Sequence, residues 1–171
     1  GLRMLGAEIR EDGNRIVCRA PKLTGADIHL DFPSVGATEN LMMAAVLAEG
    51  VTTITNAARE PEIEDLQNFL NGMGARVSGA GTGTIRIEGV RRLVPCRYRI
   101  IPDRIVTGTL MIAAAATRGQ VTLTGANPSH LTSLIHVLRR AGVQVAAEGD
   151  IIKMGGVIRP KAVERIVTSP Y

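Results

Sequence analysis

The chain has 171 residues, 45% hydrophobic and 21% charged, the balance of a sequence that buries a core, which excludes a disordered tail. Its net charge of +4 comes from 17 arginines and three lysines against 16 acidic residues, and arginine's planar fork suits phosphate and carboxylate partners. Aromatic residues make up only 2%, too few for the stacking platforms of a single-strand nucleic-acid binder, so nucleic acid is not expected as a partner. The longest apolar runs, residues 41–48 and 110–116, fall far short of the ~18 residues of a membrane span. The opening residues do not read as a signal peptide. Cys18 and Cys96 stand apart without CxxC spacing, and His29, His130 and His136 lack ligand spacing. Neither a metal site nor a disulfide framework is expected, and the chain reads as soluble in a reducing compartment.

In chain order, residues 1–20 read as the tail of a repeat. Residues 27–31 (DIHLD) alternate as a strand. Ser34 and Gly36 open a helix expected to run to Gly50, followed by a β-branched strand over Val51–Thr55. Glu60 or Pro61 starts a second helix, with Leu66, Phe69, Leu70 and Met73 as one buried stripe. Strands at 75–77 and 84–87 close a hairpin across SGAGTG, which joins strand to strand and so cannot serve as a helix-opening phosphate loop. The same order returns downstream. It gives a strand at 97–101, a helix at 107–117, a strand at 121–124, a helix from Pro128, and strands near 143–145 and 151–154.

The unit is βαβαββ, and its period is visible in glycines. Gly6, Gly74 and Gly142 lie 68 residues apart, as do Gly13, Gly81 and Gly149. The first set follows helical patterns, where a left-handed cap is nearly free only for glycine. Two whole repeats are expected, at 26–90 and 96–157. The first helix of each is apolar on nearly every side (LMMAAVLA, LMIAAAA), which predicts burial all round.

Two phrases carry more than architecture: SVGATEN at 34–40, continuing into LMMAAVLAEG, and NAAREPEIEDL at 56–66. Together with Pro102, Asp103, Arg104 and the TGT at 107–109, they resemble the UDP-N-acetylglucosamine 1-carboxyvinyltransferase family, the enolpyruvyl transferases that begin bacterial peptidoglycan synthesis. DFPSVGATEN at 31–40 is similar to the Gram-positive type. The sister transferase acting on shikimate 3-phosphate shares the repeat but lacks these phrases. The resemblance implies an α/β (α+β) fold of repeated βαβαββ units, an inside-out α/β barrel in two domains. Residues 1–94 would belong to the first and 95–171 to the second, with the active site in the cleft between them. It implies a cytoplasmic enzyme that moves enolpyruvyl from phosphoenolpyruvate to the 3′-hydroxyl of UDP-N-acetylglucosamine through a tetrahedral phospho-ketal, with no metal or organic cofactor.

The family's loop cysteine, its Lys-Asn pair and its RPxDL motif would precede Gly1, and its sugar-contacting aspartate would follow Tyr171. The resemblance therefore implies a central fragment with no catalytic residue of its own, inactive alone, which self-associates or pairs with the remainder through open apolar faces. What carries over is a substrate-binding turn at Ser34, Val35 and Gly36, with Phe32 and Pro33 on the uracil side. By its residues alone the turn is either an anion site at a helix start or an ordinary serine cap. Arg59, Glu60 and Glu62 read as a helix start favoured by the macrodipole. Asp103 and Arg104 either line the interdomain cleft or form a local ion pair. A reading from another class is an RNA-binding module using the cluster Arg86, Arg91, Arg92, Arg97, Arg99 and Arg104.

Overall fold

A computed structural model describes residues 1–156, 159–168 and 171; the last residue of the second expected repeat, 157, lies outside them. The chain divides into two compact units between Arg99 and Ile100.

Unit 1 opens with an antiparallel hairpin, β1 (Glu8–Asp12) and β2 (Arg15–Arg19), turned at Gly13 with φ 57°. Four further strands, β3 (Asp27–His29), β4 (Val51–Thr55), β5 (Arg76–Ser78) and β6 (Thr84–Glu88), form a sheet in the order β3-β4-β6-β5. β3 and β4 are parallel; the other pairs are antiparallel. Side chains alternate across a strand, and the register carries that alternation over the whole sheet. Ile28, Ile54 and Ile85 share one face with Thr52, Ile87 and Val77, all buried. The opposite face carries Arg76, Arg86 and Glu88, where Arg86 bonds the Glu88 carboxylate and holds its pKa below the ordinary value, with Arg76 adding to the effect.

Two helices, α1 (Val35–Ala45) and α2 (Pro61–Gly72), pack on the apolar face. Each contributes what its sequence allows: Leu41, Met42 and Ala45 from α1, and Pro61, Ile63 and Leu70 from α2. α1 ends at Ala45, five residues before Gly50. The expected stripe on α2 is corrected in part. Leu70 is buried, but Ile63 is the fully buried residue and Phe69 is 37% exposed. Phe69 lies instead against Tyr98, ring centroids 5.4 Å apart.

That contact belongs to a larger departure. The strand expected at 97–101 is not formed. Val94 N–H donates to Met73 O at 2.9 Å, and the Tyr98 hydroxyl donates to Asp65 Oδ1 at 2.7 Å. The segment is thereby held against α2 rather than in a ladder. Burial, reinforced by the Asp65 carboxylate, pushes the Tyr98 phenol up to about 12. The unfolded phenol titrates near 10, so the folded state holds its proton to higher pH. The contribution is complete below pH ~10 and is lost as pH rises toward 12. The urea midpoint of the chain should fall across this window, and that of Tyr98→Phe should fall less steeply. Parallel slopes would deny the bond any share in stability.

Unit 2 has a three-stranded antiparallel sheet, β7 (Val121–Thr124), β9 (Ile151–Gly155) and β8 (Gln144–Glu148), in that spatial order. α3 (Arg104–Ala116), a 3-10 turn (Pro128–Leu131) and α4 (Thr132–Arg140) accompany it. The core gathers Met111, Leu131, Ile135, Leu138, Ile152 and Met154. α3 corrects the expectation of burial all round. Ile105, Val106, Leu110 and Ile112 are 62%, 55%, 48% and 52% exposed, because the sheet and α4 of this unit cover only the side bearing Gly108, Met111 and Ala115. Among the described residues, no helix is long and apolar enough to cross a membrane.

Candidate functional site

The turn from β3 into α1 is built by a serine at the N-cap. Ser34 is extended (φ −83°, ψ 124°), and its Oγ accepts from Ala37 N–H at 3.3 Å. A helix leaves its first amides without intrahelical acceptors. Here the Ser34 amide donates to Phe32 O at 2.7 Å, and the Ala37 amide is capped by Ser34. The amides of Val35 and Gly36 have no acceptor among the described residues. The Ser34 hydroxyl accepts from Ala37 and so keeps its own proton to donate. Three donors therefore lie at the positive end of α1, whose first turn carries no acidic residue.

The corresponding helix of unit 2 begins differently. Asp103 is its N-cap, with Oδ1 accepting from Ile105 N–H at 2.8 Å and Val106 N–H at 2.9 Å. The Asp103 carboxylate occupies the second and third amides of α3, whereas in α1 the second, Gly36, stays open and the third, Ala37, is capped by Ser34. Asp103 thus starts α3 three residues before the Thr107 expected from the apolar pattern, and Arg104 is its first helical residue.

Gly36 shows what the α1 turn accommodates. A Cβ built there meets no atom within 4 Å, and its φ is not in the left-handed region. Glycine in a helix costs about 0.5–1 kcal/mol relative to alanine, and the fold of this chain does not call for it at 36. The bare backbone leaves both open amides accessible from outside. Phe32, 65% exposed, and half-buried Pro33 stand beside the turn.

Behind it, the loop at 56–60 is fixed at three points. Asn56, at φ 55°, donates from Nδ2 to Leu30 O at 2.7 Å. Ala57 N–H donates to Gly83 O at 3.1 Å, and Ala58 N–H donates to Thr38 Oγ1 at 3.1 Å. Glu60 precedes Pro61 at the start of α2, with Oε2 accepting from Arg59 N–H at 2.9 Å. The NAARE segment therefore closes the back of the turn, a role its position twenty residues downstream did not disclose.

A family profile described as EPSP synthase (3-phosphoshikimate 1-carboxyvinyltransferase) matches residues 1–170. The chain belongs to the EPSP synthase family. Within it, the chain is 57% identical over its full length to the UDP-N-acetylglucosamine 1-carboxyvinyltransferase 2 of Caldanaerobacter subterraneus subsp. tengcongensis. It is 52% identical to the UDP-N-acetylglucosamine 1-carboxyvinyltransferase of Mycolicibacterium paratuberculosis, again over its full length. It spans 41% of each of those two proteins. Among solved structures, the enolpyruvyl transferase NikO from Streptomyces tendae superposes with a TM-score of 0.81 over 93% of this chain and 41% of its own, at 23% identity. EPSP synthase from Acinetobacter baumannii superposes with a TM-score of 0.63 over 89% of this chain and 36% of its own, at 24% identity. The α/β fold of the family is thus present here, and the resemblance carried by SVGATEN and NAAREPE agrees with the names of these relatives.

Proposed function

We propose that this chain supplies the diphosphate-binding turn of a cytoplasmic UDP-N-acetylglucosamine 1-carboxyvinyltransferase, which moves enolpyruvyl from phosphoenolpyruvate to the 3′-hydroxyl of the amino sugar. In that reaction the hydroxyl adds across the enol double bond to give a tetrahedral phospho-ketal. Its oxygen bonds to the carbon that bears the phosphate as the hydroxyl proton is lost, and the methylene carbon gains a proton. Loss of phosphate together with one proton of the new methyl group then restores the double bond. The part of this chain is to hold and orient the sugar nucleotide. The Val35 and Gly36 amides and the Ser34 hydroxyl donate to diphosphate oxygens, each such charge-assisted bond contributing roughly 1.5–3 kcal/mol, and the α1 dipole adds about 0.3–1 kcal/mol. Phe32 and Pro33 form the uracil-side wall. The observation that carries the reading is the bare Gly36 between open amides, where packing asks for no glycine.

The description of the family profile also admits the sister reaction on shikimate 3-phosphate, whereas relatives above half identity carry the sugar-nucleotide name. A hybrid in which this chain replaces the matched segment of the Caldanaerobacter relative distinguishes the two. It should release phosphate from phosphoenolpyruvate with UDP-N-acetylglucosamine and not with shikimate 3-phosphate. Gly36→Val should raise the sugar-nucleotide KM at least about 30-fold while leaving the melting temperature within ~2 °C. Turnover of shikimate 3-phosphate, a folded hybrid without turnover, or an unchanged KM in Gly36→Val would each overturn the assignment.

A further inference from the structure

We infer that Thr38 is a positioning residue that sets and polarises the Val35 amide for the diphosphate, a role that rests on the reading of the 34–36 turn given above. Thr38 is fully buried, one turn inside α1. Its hydroxyl donates to Ser34 O at 2.8 Å and accepts from Ala58 N–H at 3.1 Å. The same Ser34 carbonyl also accepts from Thr38 N–H at 2.9 Å.

Covalent geometry makes this matter. The Ser34 carbonyl and the Val35 N–H belong to one planar, trans peptide unit, so an acceptor held by two donors fixes the direction of the amide on the other side of the same plane. Hydrogen bonds in series also polarise one another. The order Ala58 N–H, Thr38 O–H, Ser34 C=O, Val35 N–H is such a series. It runs from the loop at 56–60 to an amide that has no acceptor within the described residues.

A threonine hydroxyl bonded to the carbonyl four residues back is common in helices, and unit 2 contains the ordinary form. Thr107 donates to Asp103 O at 2.8 Å, but it is only half-buried and receives no backbone amide among the described residues. There the Asp103 carboxylate itself takes the Ile105 and Val106 amides at the helix tip. Among the described residues, only α1 joins a buried threonine, an incoming loop amide and open amides at its tip.

The test uses the hybrid enzyme described above. Thr38→Val removes the hydroxyl and keeps the shape, and Thr38→Ala makes the same deletion should valine not fold. Thr38→Ser keeps the hydroxyl. Thr38→Val should raise the KM for UDP-N-acetylglucosamine about tenfold and leave the KM for phosphoenolpyruvate within about twofold, and Thr38→Ser should restore the first value to within about threefold. In the chain itself, the Val35 amide proton should move upfield in Thr38→Val and return in Thr38→Ser. Equal changes in both KM values, no change in either, or failure of serine to rescue would overturn the inference. If Gly36→Val raises the sugar-nucleotide KM but Thr38→Val does not, the relay alone falls. If neither does, the turn falls with it.

Discussion

Gly89→Ala should destabilise unit 1 by at least about 3 kcal/mol, the range of severe overpacking against a part that cannot move. A Cβ at 89 would overlap the Ala48 carbonyl oxygen outright, with the carbonyl carbon only 2.8 Å away. That carbonyl lies in a backbone segment clasped from both sides. Gly89 N–H donates to Gly50 O at 2.9 Å and Val90 N–H to Val46 O at 2.8 Å. From the other side Gly25 N–H donates to Glu49 O at 2.7 Å and Glu49 N–H to Leu23 O at 2.9 Å. Moving Ala48 aside would break bonds on both edges, so relaxation is costly. Urea denaturation of the chain, followed by circular dichroism, checks the value; a loss below about 1 kcal/mol would show that the clasp yields. Gly36→Ala is the matched comparison. The same added methyl meets nothing there and should leave the chain as stable as before or more so, by up to about 1 kcal/mol.

The two glycines show where sequence reading reaches and where it stops. Gly6, Gly74 and Gly142 stood out through their spacing, and they adopt φ of 96°, 90° and 88°, because a helix end followed by a strand is a local problem with a local solution. Gly25 and Gly89 carry no such signal. Their requirement is set by backbone that crosses from 48–51, and nothing adjacent in the chain reports it. The chain order of elements and the helix-on-sheet packing of unit 1 were legible because alternation in β4 and β6 sorts Ile54, Ile85, Ile87 and Thr52 to one face and Thr53, Thr55, Arg86 and Glu88 to the other. The strand expected at 97–101 failed for a reason of the opposite kind: Tyr98 finds Asp65 and Phe69 on α2, and a tertiary contact decides against a pattern that alternates correctly.

At the site, the N-cap role of Ser34 was readable from residue type, and the resemblance supplied the substrate. The cap at Asp103 was equally open to reading, since aspartate before a helical pattern is a start signal. The apolar run from Thr107 drew the boundary too late. The bond between Thr38 and Ala58 spans twenty residues, and no spacing rule reaches it. Its only trace is a threonine on a helix face otherwise occupied by Leu41, Met42 and Ala45. A polar side chain among apolar neighbours needs a partner when buried, and that physical demand, rather than a motif, is the signal.

Ile152→Ala should unfold unit 2 while leaving unit 1 protected. Ile152 sits on β9, the middle strand of three, paired across to Leu123 on β7 and Ala147 on β8, and is fully buried. Among the described residues of unit 2 only Met111 matches it at 0% exposure, whereas unit 1 has Leu5, Met42, Ile54, Ala58, Ile63, Ile85 and Ile87 at that level. Truncating a buried isoleucine costs about 2–5 kcal/mol through lost transfer energy and the cavity left behind. A unit with so small a core has little stability in reserve, so the loss is comparable to the whole. The two cores share no residue, which makes the effect local. Hydrogen exchange read by mass spectrometry should therefore show fast exchange throughout β7, β8, β9 and α4, with β4, β6 and α1 as slow as in the parent chain. Ile54→Ala, the same deletion in the larger core, should speed exchange in unit 1 by a similar free energy without abolishing protection there. Equal loss of protection in both units on Ile152→Ala would mean that they unfold as one.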